Sequence, residues 1–242
     1  MTALVTLDAD VLVLGEYRAS SPLGNALAER GWIHQVGTPD PAGGFAAVLV
    51  ASRVPLKALE PHYLDETCSQ RWVHVDVVDT GWAVAGALIP SRNQHFPGRS
   101  ERFWDFVVSE FAPLAAHRPT LLIGDLNTGI HRVDEIGATL PCSEYLAELR
   151  SAGWVNVWHA LNPDVRPPPS TWASRTGKGF RVDHAFLSPC SPSASSIAYP
   201  AEIGGEPSTR AGARRSDGER APLSDHVPVV VDLGAIDPSS RH

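Results

Sequence analysis

Apolar positions in this chain fall into short runs, and several of those runs end on an acidic or amide side chain. Asp10 to Leu14 reads as a buried strand with Glu16 at its exit, and Ala46 to Ala51 as a second. Trp72 to Val78 and Trp82 to Ile89 flank Asp79-Thr80-Gly81, a turn sequence that predicts a hairpin. Leu121 to Ile123, Phe180 to Leu187 and Val227 to Leu233 complete the predicted strands. Helical spacing lies between them. Ser21-Pro22 predicts an N-cap followed by Pro at the first helical position, with Leu23, Ala26, Leu27 and Arg30 continuing and Gly31 closing the helix. Ser100 is expected to cap a helix whose Phe103, Val107 and Phe111 share one face. Ser143 is expected to cap another, with Leu146 and Leu149 turned inward and Gly153 at its end. Strands outnumber helices, and hairpins mix with helical crossovers, which argues for an α+β or layered α/β protein. No internal repeat is present. The tract from Ser191 to Pro222, rich in Ser, Gly, Pro and Arg, is expected to be a mobile loop within a single domain over residues 1–242.

Composition narrows the function. With 242 residues the chain can bury a full core, and its formal charge of -7 excludes a general polycation. Any nucleic-acid contact must come from a local patch. Lys57 and Lys178 are the only lysines, so the basic charge is nearly all Arg. Cys68, Cys142 and Cys190 are odd in number and widely spaced, as expected of reduced cysteines in a cytoplasmic protein. Asp8 and Asp10 interrupt the first apolar run, so no signal peptide is expected, and no stretch is apolar enough for a membrane span.

The chemistry sits at the run ends: Glu16, Gly124-Asp125-Leu126-Asn127, Arg181-Val182-Asp183-His184 and Ser224-Asp225-His226. Taken singly each has a bland reading, since a lone Asp-x-Asn after a strand is often a turn or a helix cap. Together they suggest carboxylates gathered around a divalent cation. Hard oxygen ligands such as Glu16 and a strand-end Asp suit Mg2+ or Mn2+. Asp125 and Asn127 are two apart, so in an extended segment both side chains point the same way. One carboxylate could activate water while the amide donates to a phosphoryl oxygen. His226 needs a carboxylate to fix its tautomer, and Asp183 is the natural partner.

Four segments, Asp10 to Glu16, Leu122 to Asn127, Gly179 to His184 and Leu223 to Pro228, resemble in identity and order the endonuclease/exonuclease/phosphatase superfamily, most of all its exonuclease III-like members. Gly153 to Trp158 and Thr171-Trp172 look like the segment between the second and third motifs of its nucleases. The resemblance implies an α/β fold, a four-layered α/β/β/α sandwich of two mixed sheets, with the site at one edge. It implies that Glu16 is a metal ligand with Asp225 near the metal. It also implies that Asp125 orients or deprotonates water, that Asn127 contacts phosphate, and that Asp183 pairs with a His226 that touches the phosphate. The sequence departs from the pattern twice. Family members usually begin with a strand bearing an Asn, yet Met1 to Leu7 contains none, so that strand is expected to be missing or replaced. Leu88 and Ile89 stand where a His or Tyr is usual, leaving the role vacant or shifted to Arg92, Asn93 or His95.

The expected function is metal-dependent hydrolysis of phosphodiesters by a monomer, with DNA as the partner and Trp172, Arg175 and Arg92 contacting it. The alternatives are a phosphatase or phosphodiesterase for a small-molecule or lipid phosphate, and a catalytically impaired binding module.

Overall fold

Side chains alternating along the central strands face two different layers, and that alternation sets the architecture. The computed structural model describes residues 2–39, 47–59, 66–92, 97–134, 140–174, 177–208 and 224–236. The chain starts with one helical turn, α1 (Thr2–Val5), then β1 (Val11–Tyr17), α2 (Leu23–Ala28), β2 (His34–Gly37) and β3 (Ala47–Ser52). Next come β4 (Leu56–Ala58), α3 (Glu66–Ser69), β5 (Trp72–Val77) and β6 (Ala83–Leu88). A helical segment runs as α4 (Arg99–Phe106), a π-helical stretch (Val107–Phe111) and α5 (Ala112–Ala115), and leads into β7 (Thr120–Asp125). After α6 (Ser143–Ser151) the elements are β8 (Val155–Asn156), α7 (Val157–Leu161), β9 (Trp172–Ala173), β10 (Gly179–Phe180) and β11 (Asp183–Leu187). The last are β12 (Ala194–Ala198), β13 (Glu202–Ile203), β14 (Glu206–Pro207) and β15 (Val230–Leu233).

A six-stranded sheet in the order β4-β5-β6-β7-β11-β8 forms the spine; β6 and β7 are parallel and its other pairs antiparallel. Trp72, Ala85, Ala87, Leu122 and Phe186 on one face pack against Phe103, Trp104, Val107 and Phe111 of the helical segment and Leu146 and Leu149 of α6. The four-residue spacing of Phe103, Val107 and Phe111 survives the change from α- to π-helix, and all three are buried. Val73, Val75, Val84 and Leu88 on the other face meet Val48 and Val50 of β3. The second strand layer consists of β1-β3-β2 and β12-β15, antiparallel throughout. Outside it, Leu27 of α2 and Trp32 cover Leu12, Leu49 and Ala51. Four layers result, helix, sheet, sheet and helix. Gly86 permits the tight central contact, because a Cβ there would lie 2.7 Å from Val13 Cγ1.

Several expected elements differ in detail. Ser100 lies inside α4, after Gly98, and its buried hydroxyl donates to the Pro90 carbonyl instead of capping the helix. Cys142, not Ser143, occupies the N-cap of α6. The strand expected over Phe180 to Leu187 breaks at Arg181 and Val182, where the Arg181 side chain turns into a buried polar network. The tract expected to be a mobile loop from Ser191 contains β12, paired along β15, while 209–223 lies outside the described residues. Where the resemblance places a first strand, Thr2–Val5 is a helical turn. β1 and β15 each keep one edge unpaired among the described residues. Ile123 of β7 touches both neighbouring apolar clusters and remains partly exposed.

Candidate active site

The site forms where β6 and β7 end and β11 begins. Leu88 and Asp125 are register partners across the parallel pair, and Asp183 lies opposite Asp125 across the antiparallel one. Two carboxylates facing each other across a ladder repel unless a cation stands between them. His226 supplies that charge. Its Nδ1 donates to Asp183 Oδ2 at 2.8 Å. Burial disfavours the imidazolium, but the Asp183 hydrogen bond and the charges of Asp183, Asp125 and Asp225 outweigh it and raise the ring to about 9. Burial first, then the Asp183 charge, raise the Asp125 carboxyl to about 8, against the opposing effects of His226 and the Asn127 N–H.

The segments that carry Asp183 and His226 are pinned to each other. Thr171 is fully buried, and its Oγ1 accepts from the Val182 and Asp183 N–H groups at 3.0 and 3.1 Å. The same residue's carbonyl accepts from Val227 N–H at 2.7 Å, and Trp172 bridges to His226. One threonine thus couples the Asp183 strand to the His226 segment, which lie 43 residues apart. Nothing in the spacing of Thr171 announced this.

Asp125 and Asn127 do converge, although not through an extended segment. The strand ends at Asp125, and Asn127 takes a left-handed conformation with φ 48. Its N–H donates to Asp125 Oδ1 at 2.9 Å, and Nδ2 donates to Asp125 Oδ2 at 2.6 Å and to the Ile89 carbonyl at 2.9 Å. Both amide hydrogens are engaged within the protein, so Asn127 orients the Asp125 carboxylate here. Glu16 also has a positive φ, 55, in the bulge where β1 loses register with β3 between Leu14 and Tyr17. Bulges re-aim side chains, and this one turns Glu16 toward the cleft. Gly124 is obligatory at φ 146, since a Cβ would lie 2.0 Å from the Ala87 carbonyl oxygen. Gly124→Ala is expected to destabilise the protein by on the order of 2–4 kcal/mol and to displace Asp125; denaturant titration together with turnover checks both.

The cleft holds about 590 Å³. Its lining brings together Glu16, Asp125, Asn127, Asp225 and His226 with the predicted contacts Trp172 and Arg92. Asp183 stands directly behind His226. Trp172 is half-buried against the Phe180 ring, with centroids 5.7 Å apart. Arg92 is exposed and paired with Glu101 at 3.1 Å. Arg175, Asn93 and His95 lie outside the described residues. Leu88 lines the cleft and Ile89 is buried in the core, as apolar side chains. Sequence reasoning missed Arg71 and Arg99, which also line the cleft. An Arg ahead of a strand and another at a helix start carry no local signal.

Ligand-capable atoms of Asp125, Asp183 and His226 lie within 4.8 Å of one another. His226 Nδ1 and Asp183 Oδ2 of this trio are already committed to each other. The hard oxygen donors left for a cation are Glu16 and Asp225 beside Asp125, a set that fits Mg2+ or Mn2+ and lacks the sulfur and nitrogen donors favoured by zinc.

A four-layered α/β sandwich with a carboxylate–imidazole cleft at one end of its sheet defines a phosphoester hydrolase fold. The chain belongs to the Endonuclease/Exonuclease/phosphatase family, whose model matches residues 1–226. Enzymes of this family depend on a divalent metal. Solved structures with the same fold include a 3'-5' exonuclease (NExo) from Neisseria meningitidis, with TM-score 0.70, 19% identity, and coverage of 93% of this chain and 89% of that one. The 3' phosphatase NExo from Neisseria bound to a product DNA hairpin matches with TM-score 0.69, 18% identity and the same coverage of 93% and 89%. An AP endonuclease from Archaeoglobus fulgidus gives 0.71 at 13% identity, again covering 93% and 89%. No curated protein sequence matches the chain.

Proposed function

We propose that this protein is a Mg2+- or Mn2+-dependent hydrolase of phosphodiester bonds in DNA, an endo- or exonuclease of the exonuclease III type. One observation carries the reading: the 2.8 Å His226–Asp183 pair stands beside an Asp125 that is itself held by two hydrogen bonds from Asn127. Residues from distant parts of the chain meet there in a charge-balanced arrangement, which also speaks against a disabled binding module.

Asp125, its pKa raised toward neutrality, takes the proton of the attacking water. The water oxygen bonds to phosphorus, the P–O ester bond breaks, and the departing oxygen is protonated from solvent. No covalent enzyme intermediate forms. His226, held by Asp183, offers its Nε2–H to a non-bridging oxygen as negative charge accumulates. Glu16 and Asp225 would hold the divalent cation, which polarises the phosphoryl group when bound. Trp172, Arg92 and Arg175 serve as substrate contacts, Trp172 by stacking on a base.

A second reading, hydrolysis of phosphomonoesters, uses the same groups. It is favoured by the likeness to a protein described as a 3' phosphatase. Digestion of labelled duplex, abasic and single-stranded DNA beside a panel of phosphomonoesters separates the two. Turnover of monoesters with no cleavage of any DNA under Mg2+ or Mn2+ rejects the nuclease. Calorimetric titration with Mg2+ tests the cation site: Glu16→Gln is expected to weaken binding at least about tenfold, and heats identical to wild type would remove Glu16 from it.

A further inference from the structure

Outside the acidic end of the cleft lies a basic one that the mechanism does not use. Arg71 immediately precedes β5, and its carbonyl accepts from the Leu88 N–H at 2.9 Å, which sets it next to the end of β6. Arg99 opens α4, whose start is tied down by the Ser100 hydroxyl on the Pro90 carbonyl. Both arginines line the same cleft as Glu16, Asp125 and His226. Arg71 Nε is buried and has no hydrogen-bond partner. Burial, and then the nearby charge of Arg99, disfavour the charged form of Arg71; Cys68, Glu16 and Asp125 offset this only in part. A buried guanidinium donor left unsatisfied, with a second positive charge acting on it in a partly dry cleft, is unfavourable unless an anion reaches it.

We propose that Arg71 and Arg99 form a subsite for a second phosphate, the one next to the phosphate being hydrolysed. The substrate then spans the cleft with its reacting phosphoryl group at Asp125 and His226 and its neighbour on the guanidinium pair. A planar guanidinium with parallel N–H donors matches phosphate oxygens in this role, and Arg71 Nε is one such donor. The subsite rests on the hydrolase reading and sharpens it: the protein selects a phosphate ester bearing an adjacent phosphate over an isolated one. A polynucleotide backbone and a small bisphosphate share that chemistry.

The test uses a short DNA substrate and its twin carrying a neutral methylphosphonate in place of the phosphate adjacent to the scissile bond. Wild type is expected to lose about 10- to 100-fold in kcat/KM on the twin. Arg71→Gln and Arg99→Gln should each lose about tenfold on the natural substrate and at least five times less on the twin. Arg71→Lys, which keeps the charge but not the fork, should fall between. Circular dichroism melting of each variant reports its folding, and the ratio between the two substrates cancels any fraction misfolded. Inhibition by thymidine 3',5'-bisphosphate against thymidine 5'-monophosphate gives the small-molecule arm, and preference for the bisphosphate that is lost in Arg71→Gln supports the same subsite. Equal losses by the variants on both DNA substrates, or a wild type indifferent to the methylphosphonate, overturn the subsite while leaving the hydrolase standing. Hydrolysis of neither DNA nor monoesters by wild type overturns both.

Discussion

Asp125→Asn is expected to lower kcat by about 10²-fold or more, with little change in KM. The substitution removes the group proposed to accept the proton of water, yet keeps one side-chain oxygen able to accept one of the two Asn127 hydrogen bonds. The cleft-lining residues proposed to contact substrate, Trp172 and the arginines, are untouched. The effect therefore falls on the chemical step. Stability should change little, because the partly buried Asp125 carboxylate faces Asp183 across the β7–β11 ladder and that repulsion disappears, while one of the two Asn127 hydrogen bonds is lost. Steady-state kinetics on DNA together with thermal melting measures both quantities. A variant that turns over within about threefold of wild type would place the base elsewhere.

Loss of Asp134 is expected to be the most damaging single change for stability. Arg181 is completely buried, and its Nε donates to Asp134 Oδ1 at 2.8 Å while its Nη2 reaches the same oxygen and His159 Nε2. Asp134 Oδ2 accepts from Ile130 N–H at 2.7 Å, and the Asp134 carbonyl accepts from Arg181 N–H at 3.0 Å. The pair thus clamps the loop that follows Asp125 and Asn127 to the segment that leads into Asp183. Asp134→Ala strands a buried guanidinium, at a cost of about 3–5 kcal/mol, or roughly 6–20 °C in Tm for a chain of this size. The double variant Asp134→Leu with Arg181→Met should recover much of that loss, because no charge remains to be desolvated. Should Asp134→Ala melt within about 2 °C of wild type, the clamp carries no stability.

The pH dependence of this clamp has a definite sign. Burial works against ionised Asp134, but the contact with His159, the charge of Arg181 and the Ile130 N–H prevail and hold the carboxyl well below the usual range. A group with a depressed native pKa contributes stability that is complete above its unfolded value and is lost as pH falls toward the native one. The Asp134→Ala deficit is therefore expected to be constant from neutral pH down to about 4 and to shrink below it. Melting at pH 7 and pH 3 reads the difference.

How far the sequence could be read depended on the range of the interaction. Strands β3, β5, β6 and β7 were legible to within two residues, and β1 to within three, because each buries a short apolar run and ends where a polar side chain must find water or a partner. The short β2, β4, β8 and β12 were not, since their half-exposed residues gain order by pairing along a neighbour and not from their own pattern. Glu16, Asp125, Asn127, Asp183, Asp225 and His226 could be named because chemistry-bearing residues stood at run ends. The orientation of Asn127 could not, because it depends on the Ile89 carbonyl, 38 residues away.

Local sequence, then, determined which residues are apolar, where strands stop, and which carboxylates and imidazole stand at those stops; these follow from side-chain chemistry and periodicity over a few residues. Only the tertiary structure decided that Asp183 lies opposite Asp125, that Thr171 binds the third motif to the fourth, and that Arg71 and Arg99 face the acidic end of one cleft. Those relations arise from strand register and layer packing, which are set by contacts between segments far apart in the chain.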